Sequence, residues 1–203
     1  LSCYGQQKFE TPNIDALAAQ GMRFTQFYAG TSVCAPSRAS LMTGKHTGHT
    51  FIRGNKEIEP EGQEPLADSV ITLTEILKRA GYATGIFGKW GLGPVGTSGD
   101  PLNQGVDRFY GYNCQRQSHR YFPTHLWNND EKVVLSKNGD LDTMVTYAPD
   151  LIQQEALEFI TNNSERPFFA MLTYTLPHAE LQVPNDEIFQ EFKSKYEEKP
   201  FKG

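Results

Sequence analysis

Several features are scarce or missing in this sequence, and each absence excludes a class of protein. Its 203 residues include three cysteines, an odd number with no regular spacing, so it is no disulfide-laddered scaffold. No long hydrophobic run is present. The most apolar stretch extends from Phe168 to Leu176, well short of the roughly 20 apolar residues a helix needs to span a bilayer. Cationic residues are not in excess: 19 Lys and Arg stand against 24 Asp and Glu, for a net charge of −5. That argues against a broad nucleic-acid-binding face. Internal repeats and low-complexity segments are absent. Aromatic residues make up 12% of the chain and charged residues only 21%, which is not a disordered composition. What remains is an ordinary globular chain, long enough to bury a core without staples.

The organisation reads as alternating helix and strand. Thr11-Pro12 predicts a helix start, with Pro at the first helical position, running to Gln20 with Ile14, Leu17 and Ala18 on one face. Met22 to Tyr28 then reads as an aromatic-rich strand. Pro36 to Met42 predicts a short helix closed by Gly44, and Gly44 to Pro65 a surface loop. Thr72 with Glu75 forms a capping box, opening a helix to Ala80 that leads into a strand over Tyr82–Phe87. Six glycines between Gly88 and Gly105 exclude regular structure there. Phe109 to Asp130 is rich in aromatic, amide and histidine residues, and Lys132 to Leu135 reads as one arm of a hairpin turning at Asn138-Gly139. A helix over 150–160 precedes the apolar run Phe168–Tyr174, which fits a central strand covered on both faces. Three helix–strand pairs with short connections predict a parallel α/β sheet.

Ligands of such sheets sit beyond the carboxyl ends of the strands. The segments that follow the three predicted strands carry Cys34 and Arg38, then Lys89, then His178. Cys34 also lies just before a helix N-terminus, where backbone N–H groups and the dipole favour an anion. A nucleophile among fixed cations suits a tetrahedral sulfate or phosphate ester.

These residues resemble a known family. Cys34-Ala35-Pro36-Ser37-Arg38, followed by Leu41 and Thr43-Gly44-Lys45, is similar to the first signature of the formylglycine-dependent sulfatases. Gly81-Tyr82-Ala83-Thr84 with Gly88-Lys89-Trp90 and Leu92-Gly93 resembles the second. Thr11-Pro12-Asn13-Ile14-Asp15 and Pro177-His178 fall where that family carries similar residues. The resemblance extends from Tyr4 to about Asn185. It implies an α/β, alkaline-phosphatase-like fold, a mostly parallel sheet flanked by helices, of which residues 1–203 would be an incomplete N-terminal catalytic domain. It also implies a sulfuric ester hydrolase of arylsulfatase type in which Cys34 is oxidised to formylglycine by a maturation enzyme. One hydroxyl of the hydrated aldehyde attacks sulfur, and the other expels sulfate.

By the same resemblance, Arg38 holds the diol, Lys89 contacts the sulfate, and His178 contacts the sulfate or protonates the leaving oxygen. Calcium would sit against residue 34, with its other ligands outside this chain, because Asp15, Asp68 and Asp100 stand in the wrong contexts to supply them. The family places a histidine where this chain has Gly91, and Gln115, Gln117 and His119 are candidates to replace it. His119, Gln117 and Tyr121 are the expected substrate-binding residues, and Tyr110, Tyr112 and Trp127 either stack on a sugar or pack in the core. His46, His49 and His125 read as structural or rim residues, and Arg53-Gly54-Asn55 as site support or plain loop. The expected substrate is a sulfated carbohydrate or aryl sulfate, in a periplasmic or secreted protein. The alternatives are a phosphodiester or phosphonate monoester hydrolase of the same superfamily, or a non-catalytic relic.

Overall fold

A computed structural model describes residues 1–139, 143–178 and 180–197. Five helices are present among them: α1 (Pro12–Gln20), α2 (Cys34–Thr43), α3 (Leu73–Arg79), α4 (Ala148–Asn162) and α5 (Glu187–Lys195). The strands are β1 (Ala83–Lys89), β2 (Arg108–Tyr112), β3 (His125–Asn128), β4 (Glu131–Val134) and β5 (Phe168–Thr173), joined in one sheet of order β4-β3-β2-β1-β5. Its centre is parallel, with β1 flanked by β2 and β5. The β3–β4 hairpin adds two antiparallel pairings, so the sheet is mixed.

Strand β1 is the axis of the molecule and is buried along its whole length. Side chains alternate faces along a strand, and this alternation builds two cores. Ile86 and, on β2, Phe109 face the layer holding Ala35, Ala39 and Met42 of α2. Phe87 and Tyr110 face the layer holding Ile152, Ala156 and Phe159 of α4. The helix starts follow local chemistry. The Thr72–Glu75 capping box is formed, and the Thr72 and Thr74 hydroxyls both donate to the Gln104 carbonyl, at 3.0 and 2.6 Å. Helix α2 ends at Gly44, whose φ of 66° is the left-handed C-cap conformation glycine adopts freely.

Several expectations require correction. Met22 to Tyr28 is not a strand: no neighbour pairs with it among the described residues, and Met22, Phe24, Phe27 and Tyr28 are exposed. Aromatic content alone makes no strand without a ladder partner. The apolar run at 168–173 is an edge strand, half-buried, with β1 as its single partner among the described residues. The hairpin turns at Asn129-Asp130, where Asn129 takes a left-handed φ of 55°, rather than at Asn138-Gly139, where a 3₁₀ turn spans Ser136–Asn138. The polar-aromatic stretch 109–130 contributes to β2 and β3, and β1 continues through Gly88 to Lys89. Helix α1 begins at Pro12 as expected, but the Thr11 hydroxyl does not cap it; it donates to Asp15 Oδ1 at 3.0 Å.

Candidate active site

Cys34 is the first residue of α2, after Val33 in extended conformation. The Ala35 N–H, one of the unpaired donors of the first turn, is taken by Asn55 Oδ1 at 2.9 Å. The loop residue Asn55 therefore supports the site. Its neighbour Arg53 instead donates to the Thr50 and Gly48 carbonyls within the loop, at 3.2 and 3.0 Å.

Lys89 ends β1, only 4% exposed, and its ammonium is directed at Cys34. One helical turn into α2, Arg38 Nη1 donates to the Lys89 carbonyl at 2.6 Å. The sheet and helix thus lock together at the residues that carry the charge. Burial pushes the Cys34 thiol up, but the Lys89 charge, hydrogen bonding from Asn55 and Lys89, and the Arg38 charge leave it below its ordinary value. Burial pulls Arg38 down to about 10, opposed by attraction to Cys34. Burial and the Arg38 charge also lower Lys89. Two adjacent cations partly withdrawn from water disfavour each other and favour any anion placed beside them. Cys34 and Arg38 open onto a cavity of about 430 Å³ shared with Thr31, Ser32, Met171 and Thr173.

The second cluster lies at the end of β5. The ring of His178 stacks on that of His119, with centroids 4.3 Å apart and planes at 21°. The His178 N–H donates to the Thr175 carbonyl at 2.9 Å. The Tyr121 hydroxyl lies 3.2 Å from both the Thr175 and His178 carbonyls. Burial, His178 and the Lys89 charge together lower His119, so the stack lies within reach of the Lys89 field.

The expected substrate-binding residues divide. His119 lies in the stack. Tyr121 is 1% exposed and cannot offer its ring to a ligand; its hydroxyl instead braces the His178 backbone. Gln117 points away and donates to the His125 carbonyl at 2.8 Å. It lines a separate cavity of about 310 Å³ with Glu61, Arg116 and Arg120. Tyr110 and Tyr112 are buried, and the Trp127 indole N–H donates to Glu61 Oε1 at 2.7 Å; for all three the packing reading holds. His46 accepts from the Gly48 N–H at 3.1 Å and His125 pairs with Glu61 at 2.7 Å, both structural roles. The sequence did not mark Gln63, whose Oε1 accepts from the Gln115 N–H at 3.2 Å. Fifty-two residues separate the pair, and no local pattern signals such a contact.

A sulfatase family model matches residues 1–200. The chain belongs to the sulfatase family. It is 33% identical over 204 residues to an arylsulfatase from Hemicentrotus pulcherrimus, covering 92% of this chain and 36% of that protein. It is 34% identical over 194 residues to an N-acetylgalactosamine-6-sulfatase from Sus scrofa, covering 88% and 37%. A solved structure described as in complex with its substrate D-glucosamine-2-N,6-O-disulfate matches with a TM-score of 0.66 and 28% identity, over 88% of this chain and 32% of that one. The chain therefore spans about a third of the length of these proteins. The five-stranded mixed sheet with its helices is the alkaline-phosphatase-like fold expected of the family.

Proposed function

We propose that this chain carries the nucleophile of a sulfate ester hydrolase acting on a sulfated carbohydrate. One observation carries the reading: residue 34 sits on the first turn of α2 beside the buried Lys89 and the half-buried Arg38. An aldehyde made from Cys34 and then hydrated would supply the attacking hydroxyl. Lys89 would hold an anionic sulfuryl oxygen, strengthening as charge develops, and the α2 dipole would favour that charge. Arg38, tied to the Lys89 carbonyl, would fix the angle between helix and strand. The His119–His178 stack would lie beside the leaving oxygen. The maturation enzyme would act before folding, because Ala35 and Pro36 of its motif are buried in the folded chain.

Calcium, the expected cation, does not fit the residues present. No group of three or more His, Cys, Asp or Glu that could hold a metal occurs among the described residues. The charges next to Cys34 are cationic, and Asn55 Oδ1 is already taken by the Ala35 N–H. Asp15 bonds the Cys3 N–H and Asp100 the Leu102 N–H, while Asp68 is exposed.

A carbohydrate substrate is supported by two similar proteins, an N-acetylgalactosamine-6-sulfatase and one solved in complex with its substrate D-glucosamine-2-N,6-O-disulfate. An exported location, where free thiols are readily oxidised, would require Cys34 to be converted and Cys3 and Cys114 to be shielded; Cys114 is buried and Cys3 half-buried. Among the described residues no helix is long and apolar enough to cross a membrane. The test is mass analysis of the Cys34 peptide from protein matured with its modifying enzyme, together with sulfate release from sulfated sugars and aryl sulfate. An aryl phosphodiester is assayed in parallel. Unmodified Cys34 with no sulfate release, or turnover of the phosphodiester alone, would refute the proposal. Cys34→Ala should abolish turnover and Cys114→Ala should preserve it.

A further inference from the structure

Gly91 lies two residues after Lys89 with φ +76°. A Cβ on this glycine would meet Gln115 Nε2 at 1.9 Å and Cδ at 2.8 Å. The Gln115 side chain thus fills the space any side chain at 91 would need. The same Nε2 donates to the Gly91 carbonyl at 3.0 Å, while the Gln115 backbone N–H donates to Gln63 Oε1 at 3.2 Å. From the opposite side, Arg38 holds the Lys89 carbonyl at 2.6 Å. Between these anchors, the Trp90 and Gly91 N–H groups donate to the Tyr112 and Asn113 carbonyls at 2.9 and 3.1 Å. Residues 89–91 are therefore clamped at both ends, by α2 and by the segment after β2.

Gln115 is 2% exposed, and its Oε1 has no hydrogen-bond partner among the described residues. A methionine would fill this space without leaving a buried acceptor unpaired, which is unfavourable. The residue is accounted for by the bond its amide makes, not by its volume.

We infer that Gln115 is a positioning residue for Lys89, aiming the ammonium at residue 34 by holding the Gly91 carbonyl in the space that glycine leaves open. Without the amide, a glycine free to leave its left-handed conformation would release the end of β1. The Lys89 ammonium would then spend less time against residue 34. The inference concerns the placement of Lys89 alone and stands whichever ester is turned over.

The test uses protein made without its maturation enzyme, so that Cys34 remains a thiol. Its reaction with iodoacetamide is followed against pH by peptide mass analysis, which separates it from Cys3 and Cys114. Gln115→Met keeps length and volume without the amide, and Gln115→Ala removes both. Both variants are expected to slow Cys34 alkylation at pH 7 by about threefold or more, through a smaller thiolate fraction. Lys89→Met should change the rate in the same direction, and Gln115→Met should melt close to the parent. Adding Gly91→Ala to Gln115→Ala refills the space and should not restore the rate. Unchanged pH profiles would overturn the inference, as would restoration by volume alone. Failure of both variants to fold would also overturn it, because Gln115 would then be a packing residue.

Discussion

Glu61→Gln should destabilise the protein in a way that disappears in acid. The Glu61 carboxylate accepts from the Trp127 indole at 2.7 Å and pairs with His125 Nε2 at 2.7 Å, with Lys132 Nζ at 3.5 Å. Its side chain is 18% exposed. Burial pushes its pKa up, but His125, Trp127 and Lys132 outweigh that and hold it at about 2, against 4.5 for an ordinary glutamate. A depressed folded-state pKa means the stabilisation is complete above the unfolded value and is lost as pH falls through the folded one. At 1.36 kcal/mol per unit, the contribution at pH 7 is about 3 kcal/mol, falling to roughly half at pH 3. In a protein of this size, that corresponds to a fall in Tm of roughly 6–12 °C at pH 7. Thermal or urea unfolding of parent and variant at pH 7, 4 and 3 measures it. A loss below about 1 kcal/mol at pH 7, or one that does not shrink between pH 4 and pH 3, would refute the reasoning.

Asn55→Ala should cost about 1 kcal/mol, the usual value of a side-chain bond at a helix start, and raise the Cys34 thiol pKa, both readable from unfolding and alkylation profiles. Arg38→Ala frees the Lys89 carbonyl and removes a positive charge beside residue 34, and should lower kcat for sulfate release on the order of a hundredfold. An unchanged kcat would remove Arg38 from the proposed site. His119→Ala and His178→Ala should be non-additive in unfolding free energy by about 0.5–1.5 kcal/mol, the range for a stacked ring pair; strict additivity would show that the stack contributes nothing.

The parts legible in the sequence were those set by neighbours along the chain. The capping box at Thr72–Glu75, the Pro at the start of α1 and the Gly44 C-cap are all local, and each forms as expected. The parts not legible depend on what lies across the fold. Phe168–Thr173 has the composition of a central strand, yet its position is decided by how many neighbours pair with it, and composition does not record that. Met22–Tyr28 carries strand-forming residues with no ladder partner among the described residues. Strands β2 and β3 were hidden because Tyr, Gly, His and Trp obscure the period-2 pattern. In the site, Cys34, Arg38 and Lys89 meet because α2 and the end of β1 each place one charge by local rules. The contact of Gln115 with Gly91 and Gln63 spans the fold and has no local signature.

The loop from Asn55 to Gln63 explains how these long-range contacts cooperate. At one end Asn55 Oδ1 holds the first turn of α2, and at the other Gln63 Oε1 holds the Gln115 N–H. Between them Glu61 pins the loop to the β3–β4 hairpin through Trp127, His125 and Lys132. One irregular segment therefore supports Cys34 from the helix side and, through Gln115, the Lys89 segment from the strand side. A loop has few backbone bonds of its own, and its shape here is held by a half-buried carboxylate with three partners. Loosening that anchor would disturb both supports at once, so Cys34 and Lys89 should lose their alignment together rather than separately. The electrostatics require such bracing. In a chain of net charge −5, Arg38 and Lys89 are two cations brought close and partly stripped of water, an arrangement that favours an anion at residue 34 only while the geometry is held.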